Sequence, residues 1–109
     1  MLLALSLVSY SLTGCGHRGA RSAATAAPTI AGADVSHGKA VYAQQCAACH
    51  GEAGKGGEIG PPLVNERAKH TYAGVKAIVT DPQPPMPKLY PSRMTEADVR
   101  DVSAYVESL

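Results

Sequence analysis

The segment from Asp34 to Leu109 has too few large apolar side chains to build a strong core by itself. Its 76 residues include 31 hydrophobic ones, but 10 of these are Ala and 2 are Cys, and the whole chain contains no Phe and no Trp. Domains this small gain little stability from burial, and they usually add a disulfide, a metal, a cofactor or a partner chain. We therefore expect something other than side chains to fill the middle of this domain.

Length and charge exclude several classes of protein. The 109 residues suffice for one small domain, and the net charge of +1 is that of neither a basic nucleic-acid arm nor an acidic tail. We therefore expect no nucleic-acid partner. Three Cys is an odd number, which argues against a framework made only of disulfides.

The N-terminal segment reads as an export signal. Residues 1–13 are uncharged and largely apolar, too short a run to span a bilayer but typical of the apolar part of a signal peptide. The run ends at Leu12-Thr13-Gly14-Cys15, which resembles the lipobox of bacterial lipoproteins. The resemblance implies that residues 1–14 are removed and that Cys15 is acylated. No Lys or Arg precedes the run, a departure that a start codon further upstream would explain. The alternative is that Cys15 is an incidental thiol in a signal cut elsewhere.

The next segment reads as a tether. Residues 15–33 contain the lipidated Cys followed by a stretch rich in Ala, Gly, Ser and Thr, without apolar periodicity. A flexible chain of this length spans roughly 20–25 Å. We expect an extracytoplasmic domain, periplasmic or on the cell surface, held near a bacterial membrane by its lipid anchor.

The motif that carries chemistry is Cys46-Ala47-Ala48-Cys49-His50. Cys-x-x-Cys-His is the attachment pattern of c-type haem. Two thiols three residues apart at a helix end can each form a thioether with one haem vinyl group. The His that follows can then bind the iron. We expect one covalent haem c, with Cys46 and Cys49 as its attachment points and His50 as an iron ligand.

Three other uses of these residues compete with haem attachment. A structural zinc site needs four ligands, and the motif supplies three. A thioredoxin-like pair needs a preceding strand in a βαβ unit, whereas the segment before Cys46 looks helical. A plain disulfide is strained at this spacing on a helix.

Helical patterns flank the motif, and no convincing strand pattern appears. Asp34 or Ser36 can cap a helix that ends near Cys46, with Gly38 and Tyr42 on one face. A second helix is predicted over 71–80. Thr95 and Asp98 suggest a capping box for a C-terminal helix. Its apolar face comprises Val99, Val102, Val106 and Leu109, with Tyr105 beside them.

Residues 34–109 resemble a class I monohaem cytochrome c. The resemblance rests on four features in order: a helix leading into Cys46-x-x-Cys49-His50, then Gly60-Pro61-Pro62-Leu63, then Pro85-Met86-Pro87, then a C-terminal amphipathic helix. It implies an all-α cytochrome c fold in which the N- and C-terminal helices cross. Gly38 and Tyr42 would then lie near Tyr105, and short helices and loops would surround the haem.

A second axial ligand has several candidates. Met86 lies in a Pro-rich loop that restricts the backbone, and the family places its ligand in such a Met-Pro context, so we assign Met86. Met94 reads as a core residue, and a His50/His70 pair is the main alternative coordination. The resemblance implies that the His50 ring donates its Nδ1–H to the Pro61 carbonyl. The other His candidates for the axial position are His17 and His37.

Four residues are candidate partners of the haem propionates: Asn65, Arg67, Tyr72 and Tyr90.

The predicted function is electron transfer without substrate chemistry. An iron with His and Met ligands has both axial positions filled, which suits a carrier shuttling single electrons between extracytoplasmic redox proteins through transient contacts. The alternative is a haem-based sensor or small-ligand-binding protein in which Met86 is labile.

Overall fold

The computed structural model describes residues 30–109, and this part of the chain is helical without strands. It contains four α-helices: α1 (Val35–Gln45), α2 (Ala47–His50), α3 (Tyr72–Thr80) and α4 (Glu96–Glu107). Two 3-10 turns, Glu52–Gly54 and Glu66–Ala68, lie between α2 and α3. The predicted signal peptide, Cys15 and His17 lie outside the described residues, as does most of the predicted tether.

Side-chain caps determine where the longer helices begin. The Asp34 side chain accepts a hydrogen bond from the backbone N–H of His37 at 3.0 Å, which starts α1. The Thr95 hydroxyl accepts from the N–H of Asp98, while an Asp98 carboxylate oxygen accepts from the N–H of Thr95 at 2.7 Å. This is the capping box predicted for α4, and it satisfies N–H groups that a helix end leaves without intrahelical partners.

Helices α1 and α4 cross at Gly38, as the resemblance implied. A Cβ atom added at Gly38 would lie 2.0 Å from the Asp101 carbonyl oxygen and 3.0 Å from the Cβ of Tyr105. One turn along α1, the rings of Tyr42 and Tyr105 meet with centroids 5.3 Å apart and planes tilted by 58°. This is a favourable aromatic arrangement. The missing side chain of Gly38 therefore sets the distance between the two helices.

The hydrophobic core lies along α4, between α1 and α3. Met94 and Val99 are buried, which confirms Met94 as a core residue. The other large members of the core are Val41, Tyr42, Val75, Val102, Tyr105 and Val106. Most of these are Val, so the core is thin, as the composition indicated. No helix within residues 30–109 has the length and apolar character needed to cross a membrane.

A buried carboxylate joins the crossing helices on one side. Asp101 on α4 accepts hydrogen bonds from the N–H of Asp34 at 3.1 Å and from Nε of Arg100 at 2.7 Å. Its second oxygen lies 2.8 Å from Nδ1 of His37 on α1. Burial alone would raise the pKa of Asp101, but the hydrogen bonds from Arg100, His37 and Asp34 outweigh it and lower the pKa to about 2.

The close approach at Gly38 makes an Ala substitution there costly. We expect Gly38→Ala to lower the free energy of unfolding by about 1–3 kcal/mol, because the new methyl group overlaps the Asp101 backbone. Urea denaturation of the holoprotein measures this. Gly74→Ala is the matched control, because a Cβ at helical Gly74 has no neighbour nearer than 3.5 Å. Its stability should be unchanged or slightly raised. Equal effects of both substitutions would contradict the crossing.

Asp101 makes stability depend on acid pH. A carboxyl group whose pKa is lower in the folded than in the unfolded state stabilises the fold above its unfolded pKa of about 3.9, and this is lost as pH falls toward the folded value. At pH 7 we expect Asp101→Asn to lower the free energy of unfolding by about 1–3 kcal/mol. The difference from the wild type should shrink between about pH 4 and pH 2. Asp81→Asn, at an exposed Asp paired with Lys88, is the control. A gap between wild type and Asp101→Asn that does not change with pH would contradict this role.

Candidate functional site

A cavity of about 470 Å³ opens between α2, α3, α4 and the loops that join them. Its wall is mainly apolar and includes Val75 of α3 and Val102 and Val106 of α4, which also belong to the core. The cavity therefore lies where side chains would otherwise complete the core. Its volume is within the range of cofactor sites, which are concave and mostly apolar with a few polar groups.

One wall of the cavity is formed by the Cys-x-x-Cys-His motif. Cys46 ends α1, and Cys49 and His50 belong to the single turn of α2 that follows. The three side chains all line the cavity. Both thiols are free and half-buried. The end of α1 is fixed by its crossing with α4, so the crossing also positions the motif.

The His50 ring is held by the loop that follows it. Nδ1 of His50 lies 2.9 Å from the Pro61 carbonyl oxygen, the acceptor that the family resemblance implied. Because a carbonyl oxygen only accepts, Nδ1 carries the proton and Nε2 keeps a free lone pair. A Cβ at Gly60 would lie 2.9 Å from this same Nδ1 atom, so the loop approaches the ring closely at a residue without a side chain.

Met86 reaches the same cavity from the loop that follows α3. Pro85, Met86 and Pro87 all line it. The N–H of Met86 donates to the Gln83 carbonyl at 3.1 Å, and the Lys88 ammonium donates to an Asp81 oxygen at 2.8 Å. These contacts close the loop. They bring a thioether sulfur to the cavity that holds the two thiols and the imidazole.

The other candidate ligands divide between the cavity and the rest of the fold. His70 lines the cavity together with Met86, so it remains the alternative to that residue. His37 instead contacts Asp101 and Asp98 at the α1–α4 crossing. Met94 is 3% exposed within the core and does not line the cavity.

Two of the competing chemistries do not fit the structure. Among residues 30–109 no group of three or more His, Cys, Asp and Glu side chains could hold a metal ion, which argues against zinc. A thioredoxin-like pair needs a strand and a thiol that ionises easily. This part of the chain has no strand, and burial, with the neighbouring Cys49, raises the pKa of the Cys46 thiol to about 11. The residues present do fit a haem, which requires two thiols, axial ligands and an apolar cavity.

Three polar residues line the rim of the cavity: Glu66, Lys69 and His70. The sequence pointed to His70 as an alternative ligand but not to Glu66 or Lys69. The four residues considered for the propionates do not line the cavity. Tyr72, for example, donates its hydroxyl to the Arg100 carbonyl at 3.3 Å. The segment 66–70 carries no motif, and its position follows from the second 3-10 turn packing against α4.

Comparison with known proteins identifies the family. The family model described as "Cytochrome C oxidase, cbb3-type, subunit III" matches residues 33–106. The chain belongs to the class I cytochromes c. It carries one covalently bound haem c, as members of this family do. The predicted all-α cytochrome c fold is thereby confirmed.

Individual relatives agree with this assignment. Cytochrome c6 of Synechocystis sp. is 36% identical over 84 residues, which cover 72% of this chain and 68% of the relative. The cbb3-type cytochrome c oxidase subunit CcoP of Cereibacter sphaeroides is 39% identical over 80 residues, 68% of this chain. Thiosulfate dehydrogenase of Stutzerimonas stutzeri is 32% identical over 117 residues, 96% of this chain. The chain spans only 27% of the CcoP subunit and 38% of the dehydrogenase.

Solved structures share the fold. Cytochrome c6 of the diatom Phaeodactylum tricornutum superposes with a TM-score of 0.57 at 28% identity, over 68% of this chain and 91% of that chain. The c-type cytochrome XoxG of Methylobacterium extorquens AM1 has a TM-score of 0.56 at 23% identity, over 64% of this chain and 46% of that chain.

Proposed function

We propose that this cytochrome is a lipid-anchored electron carrier whose haem is attached through Cys46 and Cys49 and whose iron is bound by His50 and Met86. The observation that carries the proposal is that these four side chains, from two separate segments of the chain, line one apolar cavity. The bound haem supplies a one-electron ferric–ferrous couple, and a His/Met ligand pair gives it a higher potential than two nitrogen ligands would.

Each residue of the site has a physical role in this proposal. The Pro61 carbonyl fixes the orientation of the His50 ring and raises its basicity by accepting a hydrogen bond from Nδ1–H. The prolines on either side of Met86 stiffen the loop that presents a weak thioether ligand. The valines of α3 and α4 exclude water from the cavity, so little solvent reorganises when an electron arrives. His50 and Met86 together would leave no free position on the iron for a substrate, which favours a carrier over an enzyme.

Exposed apolar residues at the cavity rim offer a contact for redox partners. Ile59 is 71% exposed and Ile78 is 42% exposed, and both line the cavity. Segment 34–109 carries 8 basic and 9 acidic residues, so the surface has no strong net charge to select a partner. We propose a small, transient, mostly apolar contact with extracytoplasmic donors and acceptors, as is usual for electron-transfer proteins.

A second candidate function is a haem-based sensor in which Met86 dissociates to admit a small ligand. A specific observation favours it: an open hollow of about 440 Å³ lies beside Met86, lined also by Ile78 and Gln83. Such a hollow gives the thioether somewhere to move. The carrier remains our conclusion, because the Pro-rich loop restricts that movement.

Replacing Met86 tests the ligand and separates the two functions. We expect Met86→Ala to abolish the far-red charge-transfer band of Met–iron ligation in the ferric protein, because no other thioether of residues 30–109 lines the cavity. The potential should fall, since a Met ligand raises it. His70→Ala is the matched control, and its spectrum should keep the band. Persistence of the band in Met86→Ala, or its loss in His70→Ala, would refute the assignment of Met86 as the ligand.

Rapid stoichiometric binding of carbon monoxide by the wild-type ferrous protein would favour the sensor over the carrier.

Replacing Cys15 tests the membrane anchor. We expect Cys15→Ser to release the cytochrome into the soluble fraction of the expressing cells, because a Ser hydroxyl offers no thiol for acylation. Fractionation followed by haem staining measures this. Ser11→Ala leaves the Cys15 thiol intact and is the control, which should stay with the membrane. Unchanged membrane association of Cys15→Ser would contradict the anchor and leave the haem assignment untouched.

A further inference from the structure

Two buried carboxyl groups interact with one another, one of them in the cavity wall, and neither is used in the haem site proposed above. Glu66, in the second 3-10 turn, is 9% exposed and lines the cavity. Glu107, at the end of α4, is 8% exposed, and its Oε1 atom is buried without a hydrogen-bond partner among the described residues. A buried charged oxygen without a partner is costly, whereas the same group costs less when it is protonated.

The two carboxyl groups differ in their partners. Oε1 of Glu66 accepts a hydrogen bond from the Lys69 ammonium at 2.9 Å, and Oε2 lies 3.8 Å from Nε2 of His70. Glu66 is therefore compensated as a carboxylate. Glu107 lacks such a contact at Oε1 within residues 30–109, so a proton taken up by the pair belongs on Glu107.

The groups around Glu107 act on it in opposite directions. Burial raises the pKa of Glu107, the positive charge of Arg67 lowers it, the Glu66 carboxylate raises it and His70 lowers it. On the helices packed against α4, His37 of α1 is engaged by Asp98 and Asp101. The charges that shift the pKa of Glu107 are those of Arg67, Glu66 and His70, and none of these residues lies on α1 or α3.

We propose that Glu107, with Glu66 beside it, is a proton-binding site whose affinity depends on the redox state of the haem. An electron received from a reduced partner adds one negative charge inside the cavity that Glu66 lines. That charge disfavours a second negative charge on Glu107, so reduction is accompanied by partial uptake of a proton from solvent onto its carboxylate, at pH values near the pKa of that group. On oxidation the electron leaves to an acceptor and the proton returns to solvent.

The expected size of the coupling follows from Coulomb's law. Unit charges about 10 Å apart at an effective dielectric constant of about 20 interact strongly enough to change a proton dissociation constant about tenfold. The midpoint potential of the wild type should therefore fall as pH rises through the range in which Glu107 loses its proton. Below and above that range it should be constant.

Potentiometric titration of the holoprotein at a series of pH values tests the proposal. Glu107→Gln keeps the shape of the side chain and cannot ionise, so its potential should lose this dependence on pH. Glu66→Gln removes a like charge, and the pH-dependent range should move to lower pH. Arg67→Gln removes a positive charge, and the range should move to higher pH. Glu96→Gln, at an exposed position on the same helix, is the control and should match the wild type.

A second measurement reports the proton directly. The infrared difference spectrum between the reduced and oxidised proteins should contain a carbonyl band of a protonated carboxyl group, and Glu107→Gln should lack it. A wild-type pH dependence retained in Glu107→Gln, or a wild-type potential independent of pH, overturns the proposal. The inference requires a redox-active haem in the cavity, but not that Met86 is its ligand. Failure of the Met86 assignment would therefore be recognised separately, from the charge-transfer band.

Discussion

The contact between the backbones of Gly38 and Asp101 is the constraint on which the rest of the structure depends. It brings α1 and α4 together at a distance that no other residue at position 38 permits without a shift. Because Cys46 ends α1 and the C-terminal half of α4 supplies two valines of the cavity wall, the crossing fixes both surfaces relative to one another. The Tyr42–Tyr105 pair and the Asp101 hydrogen bonds then hold this arrangement from either side.

The cavity explains why so small a core is sufficient. Val75, Val102 and Val106 belong both to the core and to the cavity wall, so a group that fills the cavity packs directly against the core. A flat apolar group of the size of haem takes the place that Phe and Trp side chains occupy in other domains of this length. Covalent attachment suits such a protein, because the group that completes the core is then kept when the surrounding helices open.

The longer helices could be predicted because the signals that start them are local in the sequence. The side chains of Asp34, Thr71 and Thr95 each accept a hydrogen bond from a backbone N–H three residues later. Contacts this short can be inferred from the sequence alone. The haem motif is equally local. The His50–Pro61 contact and the helix crossing were predicted from the resemblance to a family.

The burial of Glu66, Asp101 and Glu107 was not predicted, because it depends on groups brought together by the fold. Asp101, for instance, accepts from Asp34, 67 residues away. The four propionate candidates do not line the cavity, and their positions likewise depend on the fold.

Helix α4 presents three different faces to three parts of the molecule. Asp101 and Tyr105 meet α1, Val102 and Val106 line the cavity, and Glu107 lies under the second 3-10 turn. Successive residues of a helix differ by about 100° in direction, so one inserted residue would turn all the later side chains to the wrong neighbour. A substitution on one face therefore affects one neighbour, whereas a change in the length of α4 before Asp101 affects all three.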